Sequence, residues 1–168
     1  MTELLIRKAT VTDVPTIRSL IQELAIYEKL EPEMRATEAQ LATALFSDTP
    51  DAEVVMAEYK GEAAGFALFF HNFSTFVGKR GLYLEDLFVR EHLRGKGIGF
   101  ALISHLAKLA LERDCGRLEW SVLDWNTPAI DFYRAIGAQG MNGWTTQRLS
   151  DDALHALASS ALPETSSP

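Results

Sequence analysis

The order of hydrophobic periods along this chain predicts an α/β domain of the α+β kind, with a mixed and mostly antiparallel sheet carrying helices on its faces. Apolar runs of period two and period 3.6 follow one another as β-α-α-β-β-β-α-β-α-β. Within that order a helix joins the strand around "GLYLEDLFV" to the one around "RLEWSVL", a βαβ crossover that adds a parallel pair to a meander.

Each element has a local cause. "LLIRKA" reads as the first strand, and "TDVPTIRSLIQELAIYEKL" as a helix with Pro15 in its first turn and Ile17, Leu20, Ile21 and Leu24 on one face. Thr37 followed by Gln40 is a capping-box spacing and opens a second helix carrying Leu41, Leu45 and Phe46. "EVVMAEY", the turn "KGE" and "AAGFALFF" form a hairpin in which Gly61 supplies the positive φ of a tight connection. After "GLYLEDLFV" the period becomes helical over residues 98–112, with Ile98, Leu102, Leu106 and Leu109 stacked. "RLEWSVL" returns to strand. "NTPAIDFYRAIG" is a short helix capped near Asn126 or Thr127, with Pro128 in its first turn and Gly137 at its end. A last strand near "WTTQRL" and a helix at "DDALHALASS" follow, and the composition of residues 161–168 predicts a disordered tail. The reading is one domain over residues 1–160, without repeats or a linker.

Composition narrows the function. Sixteen basic against twenty-three acidic residues give a formal charge of −7, which argues against a general nucleic-acid binder and favours cationic small molecules. No apolar run reaches membrane-spanning length and the N-terminus has no leader pattern, so a cytoplasmic protein with no membrane partner is expected. The single Cys115 forms no internal disulfide, and His71, His92, His105 and His155 are too scattered for a zinc site, so no metal is expected.

The stretch "HLRGKGIGF" places Gly95, Gly97 and Gly99 on alternate positions where a helix begins. A helix N-terminus presents unpaired N–H groups and partial positive charge, and removing side chains there lets a phosphate reach those donors. Arg94 and Lys96 add charge at the mouth of the loop. The Gly-Lys-Ser/Thr of a Walker loop is absent, and Phe100 stands where a dinucleotide fingerprint needs its third glycine. A tight strand-to-helix turn is the plainer reading of the same residues.

"RGKGIG" after "YLEDLFV" resembles the Arg-x-x-Gly-x-Gly signature of the Gcn5-related N-acetyltransferase (GNAT) superfamily. "YLEDLFV", "WNTPAIDFYRAIGA" and "ELAIYEKLE" together are similar to its spermidine/spermine (diamine) and thialysine acetyltransferase branch. The resemblance implies a sheet of six to seven strands, with splayed parallel strands forming the acetyl-CoA slot. It implies a pyrophosphate held by backbone donors over Arg94, Gly95, Lys96, Gly97, Ile98, Gly99 and Phe100. Pantetheine would pair with the edge at Leu87, Phe88 and Val89, and Asn126 would lie beside the cosubstrate. An edge strand with open donors is otherwise a liability, so an amide ligand suits it.

Acetylating an amine requires removing a proton from an ammonium of pKa about 10.4 and giving one to a departing thiolate. Glu85 and Asp86 interrupt an apolar strand, and as neighbours they point to opposite faces. The resemblance selects Glu85 as base, directly or through water, and Asp86 as the anchor for the substrate's charge. A pair of structural carboxylates is the alternative. Tyr133 is the acid by resemblance, and otherwise an aromatic that packs with Phe132 on the sheet. Cys115, in a helix-to-strand turn with no histidine near in sequence, is not read as a nucleophile, and direct transfer in a ternary complex is expected.

Tyr27 and Glu28 match amine-binding positions of the family, while Glu31 and Glu33 read as a solvated helix end. Where polyamine specialists carry an acid-proline-tryptophan run, this chain has Ser74 and Thr75, and Asn142 replaces a second acid before Trp144. Fewer carboxylates weaken long polycations most, so a thialysine or lysine-like amino acid or a short diamine is favoured over spermidine and spermine. A protein or peptide acetyltransferase, a non-catalytic acyl-CoA-binding module and a nucleotide-binding oxidoreductase are the competing classes. The resemblance also implies a homodimer.

Overall fold

The computed structural model describes residues 3–164. Two compact units succeed one another along the chain, the first ending at Trp125 and the second beginning at Asn126. In the first, a single sheet runs in the order β1 (Leu4–Lys8), β2 (Glu53–Tyr59), β3 (Glu62–Ser74), β4 (Lys79–Val89) and β5 (Leu118–Trp120). The first three pairings are antiparallel, and β4 with β5 is parallel. The mixed, mostly antiparallel sheet is the predicted one, with five strands among the described residues instead of six to seven.

The local causes hold in detail. Helix α1 (Val14–Tyr27) starts on Pro15 and ends in a Schellman arrangement, with the Leu30 amide donating to the Ala25 carbonyl at 2.8 Å and the Lys29 amide to that of Ile26 at 3.1 Å. Helix α2 (Glu38–Phe46) has the complete capping box: the Gln40 amide donates to Thr37 Oγ1 at 3.1 Å and the Thr37 amide to Gln40 Oε1 at 3.0 Å. The β2–β3 hairpin turns through Lys60 and Gly61, both with positive φ (+51° and +82°), as a type I′ connection requires. Helix α3 spans Ile98–Glu112, the residues its period predicts.

Ile17, Leu20, Leu24, Leu41 and Leu45 pack with Val54, Met56, Phe66 and Phe88 into one core, which places α1 and α2 on one face of the sheet. Val55 and Ala57 point the other way along β2 and are buried as well. That second face carries α3, which lies against β3 and β4 and buries Ile98, Leu102, Ile103 and Leu106.

One expected strand forms over a shorter span and another does not form. Only Leu118–Trp120 of "RLEWSVL" pairs, so β4 loses its parallel neighbour beyond Leu84. "WTTQRL" forms no strand, and residues 139–164 are all exposed. A period-two pattern becomes a strand only where another strand satisfies its backbone groups, and this segment has no such partner among the described residues of its own unit. The second unit holds α4 (Thr127–Ala135) and α5 (Asp151–Ala158). Of the predicted tail, residues 161–164 carry no regular structure and 165–168 lie outside the described residues.

Candidate functional site

The site begins with an irregularity in β4. Leu84 pairs with Phe69 and Asp86 with Leu68, so Glu85 is an extra residue that opposes nothing on β3. Skipping one residue reverses the side-chain parity. Leu84 is buried outside the α1–α2 core, yet the even-numbered Phe88 belongs to that core. The two acids consequently differ. Glu85 is exposed, whereas Asp86 is half-buried. Desolvation, with the charges of Glu85 and Glu28 adding to it, pushes the Asp86 carboxyl up to about 7. Burial also raises Glu28, the C-cap of α1.

The bulge lies where the parallel pairing stops. β5 accompanies β4 from Leu82 to Leu84 only, so Leu87, Phe88 and Val89 pair with β3 on one side and, among the described residues, have no strand on the other. This is the open edge that the resemblance implies. Its last carbonyl is already engaged, because Arg94 Nε donates to the Val89 oxygen at 3.0 Å.

The glycine loop follows. Gly95 and Gly97 have φ of +76° and +77°, and Gly97 is the N-cap of α3. The first helical bond runs from the Ala101 amide to the Gly97 carbonyl at 3.0 Å, which leaves the amides of Ile98, Gly99 and Phe100 ahead of any helical acceptor. Gly99 differs from its two neighbours in the motif: its φ is not left-handed, and an added Cβ would meet only Val89 Cγ2 at 3.9 Å. Nothing among the described residues demands glycine there, so the residue fits a cradle kept bare for a ligand's phosphates. Lys96 and Phe100 stand exposed at the loop.

The end of α1 meets this loop. The Arg94 guanidinium lies 4.5 Å from the ring centroid of Tyr27 and 5.5 Å from that of Phe88. The other neighbour of Tyr27 is Trp125, with centroids 6.1 Å apart and planes tilted by 52°. Lys29 Nζ sits 4.9 Å over the Trp125 ring. The fold thus gathers Tyr27, Glu28, Glu85, Asp86, Phe88 and Arg94 from three separate stretches. Sequence reasoning gave Trp125 and Lys29 no role. Trp125 opens the quoted "WNTPAIDFYRAIGA", and its position directly before a cap residue was the available signal.

Asn126 and Tyr133 belong to the second unit. Asn126 caps α4, its Oδ1 accepting the Ala129 amide at 3.4 Å, and the Tyr133 ring lies 5.5 Å from that of Phe132. Ser74 is buried in the β3–β4 turn, where its Oγ accepts the Val77 amide at 3.3 Å, so it shapes the hairpin. Cys115 is buried, and its amide donates to the Ala110 carbonyl at 2.8 Å. Among the described residues no group of His, Cys, Asp and Glu is arranged to hold a metal, and no helix is long and apolar enough to cross a membrane.

The profile of the acetyltransferase (GNAT) family matches residues 17–138. Thialysine N-epsilon-acetyltransferase of Bos taurus is 38% identical over an alignment covering 94% of this chain and 99% of that protein. L-ornithine N5-acetyltransferase NATA1 of Arabidopsis thaliana is 36% identical, over 90% of this chain and 86% of its own length. Among solved structures, an integron cassette protein from the mobile metagenome of V. cholerae superposes with a TM-score of 0.80 at 30% identity, covering 95% of this chain and all of that one.

Proposed function

Because the chain belongs to the acetyltransferase (GNAT) family and is an N-acetyltransferase, we propose that it transfers acetyl from acetyl-CoA to a small primary amine of the thialysine, lysine-like or short-diamine class. The observation that carries this reading is the β4 bulge, which puts Asp86 at the point where β4 loses its parallel neighbour. The family uses acetyl-CoA as cosubstrate, and the bare loop from Arg94 to Phe100 suits its diphosphate. Leu87, Phe88 and Val89 offer the edge for pantetheine, and the family resemblance alone assigns Asn126 to the cosubstrate.

Amine and thioester react directly in a ternary complex. The substrate's ammonium is drawn to ionised Asp86, with Glu28 and Tyr27 completing its wall. Exposed Glu85 passes one ammonium proton to water. The neutral nitrogen then attacks the thioester carbonyl, an N–C bond forms and the C–S bond breaks. Tyr133 gives its phenolic proton to the leaving sulfur and regains one from solvent, and the second nitrogen proton is released. Amide, thiol and one proton result. Buried Cys115 supports transfer without an acyl-enzyme.

The chain acts as a homodimer. Met141, Trp144, Leu149, Leu154 and Leu157 are all half exposed or more in the second unit, apolar surface that a second copy of the chain would cover. Light scattering after size exclusion reads twice the chain mass if this is right.

The test of the activity is thiol release from acetyl-CoA across diamines, polyamines, lysine analogues and peptides. Turnover greatest with thialysine, ornithine or a short diamine supports the reading. Spermine preferred over every amino-acid amine, or peptides preferred over all small amines, overturns it.

A further inference from the structure

Helix α1 ends on an unusual residue. Lys29 takes the left-handed C′ position of the Schellman motif, with φ of +60°, where glycine sits with less strain. A strained side chain of this kind persists where its surroundings hold it, and here they are visible: the Lys29 ammonium rests 4.9 Å from the centroid of Trp125. Trp125 is itself 48% exposed, although Tyr27 leans on it at 6.1 Å. A large aromatic face is therefore presented to a cation, and the chain's own lysine is on it. Glu28 lies between the two residues that build this corner, next to Tyr27 and next to Lys29.

We propose that the face of Trp125, walled by Tyr27, seats the second, non-reacting cationic group of the amine substrate, and that Lys29 is a resident stand-in which such a substrate displaces. This rests on the amine-acetylating reading above and adds to it a specificity-determining pair. Two cations do not share one ring face, so the ammonium of Lys29 competes with a substrate's distal ammonium for the same quadrupole. A monoamine has no group to place there and is indifferent to the competition. Lys29 therefore sets how strongly the enzyme distinguishes dications from monocations. Removing its charge sharpens that distinction, and removing the indole abolishes it.

The test compares 1,4-diaminobutane with n-butylamine, equal in chain length and differing by one ammonium, at saturating acetyl-CoA. The readout is the ratio of their KM values, with kcat followed alongside. Lys29→Gln lowers KM for the diamine about threefold to fivefold relative to the monoamine, the range of an exposed cation–π contact, and Lys29→Arg restores the parent ratio. Trp125→Leu raises the ratio by a similar factor, and Trp125→Phe recovers part of it. Lys29 is exposed, so its substitutions test the idea even if Trp125→Leu fails to fold. Both amines turned over with a ratio unmoved by Lys29→Gln overturns this inference and leaves the amine reading standing. A parent chain that acetylates neither these amines nor thialysine nor ornithine overturns both.

Discussion

Arg94 and Tyr27 are stacked, guanidinium over ring at 4.5 Å, and the same Arg94 donates to the carbonyl of Val89. One side chain thereby ties the proposed diphosphate loop to the last residue of β4 and to the end of α1, where the amine is proposed to bind. Tyr27→Leu removes the surface on which the guanidinium rests. It raises KM for acetyl-CoA about threefold as well as KM for the amine, matching a partly exposed cation–π contact of about 0.5–1 kcal/mol. Tyr27→Phe keeps the ring and leaves KM for acetyl-CoA near its parent value.

The three glycines of the loop separate by physical cause. Gly97→Ala forces a Cβ into a left-handed conformation and costs about 1 kcal/mol of stability. Gly99→Ala meets no clash and gains helix propensity, so melting temperature stays level or rises, by up to about 1 kcal/mol in stability. Its methyl stands in the proposed phosphate cradle, however, and acetyl-CoA binding weakens by about tenfold, roughly 1.4 kcal/mol. Calorimetry of binding set beside a thermal melt checks the opposite signs.

What the sequence made legible was what local chemistry decides. The extent of α3 followed from Ile98, Leu102 and Leu106, the start of α2 from Thr37 and Gln40, and the hairpin turn from Gly61. The glycine loop was legible because omitted side chains leave a mark in composition. The bulge was not, since whether Glu85 is skipped depends on how Leu68 and Phe69 register across the ladder. Adjacent Glu85 and Asp86 announced two environments without saying which acid was the less exposed. The expected strand at "WTTQRL" failed for the same reason, because pairing is decided by what lies alongside. Lys29 over Trp125 joins residues distant in sequence, at a backbone position where lysine is a poor predictor.

Tyr133 is proposed to give its proton to the departing sulfur, and its ring also lies against Phe132. Tyr133→Phe separates the two, keeping the packing and deleting the hydroxyl. kcat falls about 10²-fold, the lower end for loss of a general acid, while KM for acetyl-CoA changes little. Thiol release followed at saturating amine measures it. Undiminished turnover assigns the proton elsewhere.

Asp86 links activity and stability with opposite signs. Its folded pKa is raised from an ordinary 3.8 to about 7, mainly by desolvation and then by Glu85 and Glu28. Between those values the native state binds more protons than the unfolded chain. The associated stability is therefore complete below about 3.8 and lost as pH rises through about 7. Asp86→Asn does not ionise, so its melting temperature exceeds the parent's by a margin that grows from pH 5 to pH 8 and then levels. The gain is roughly 1 kcal/mol, since water still screens part of the charge. Activity runs the other way. Ionised Asp86 is proposed to receive the ammonium, so kcat/KM of the parent rises with an inflection near 7, which Asp86→Asn loses together with about 10²-fold in rate. Paired melts and kcat/KM profiles over pH 5 to 9 check both signs, and a variant that melts lower than the parent at pH 8 refutes the buried charge.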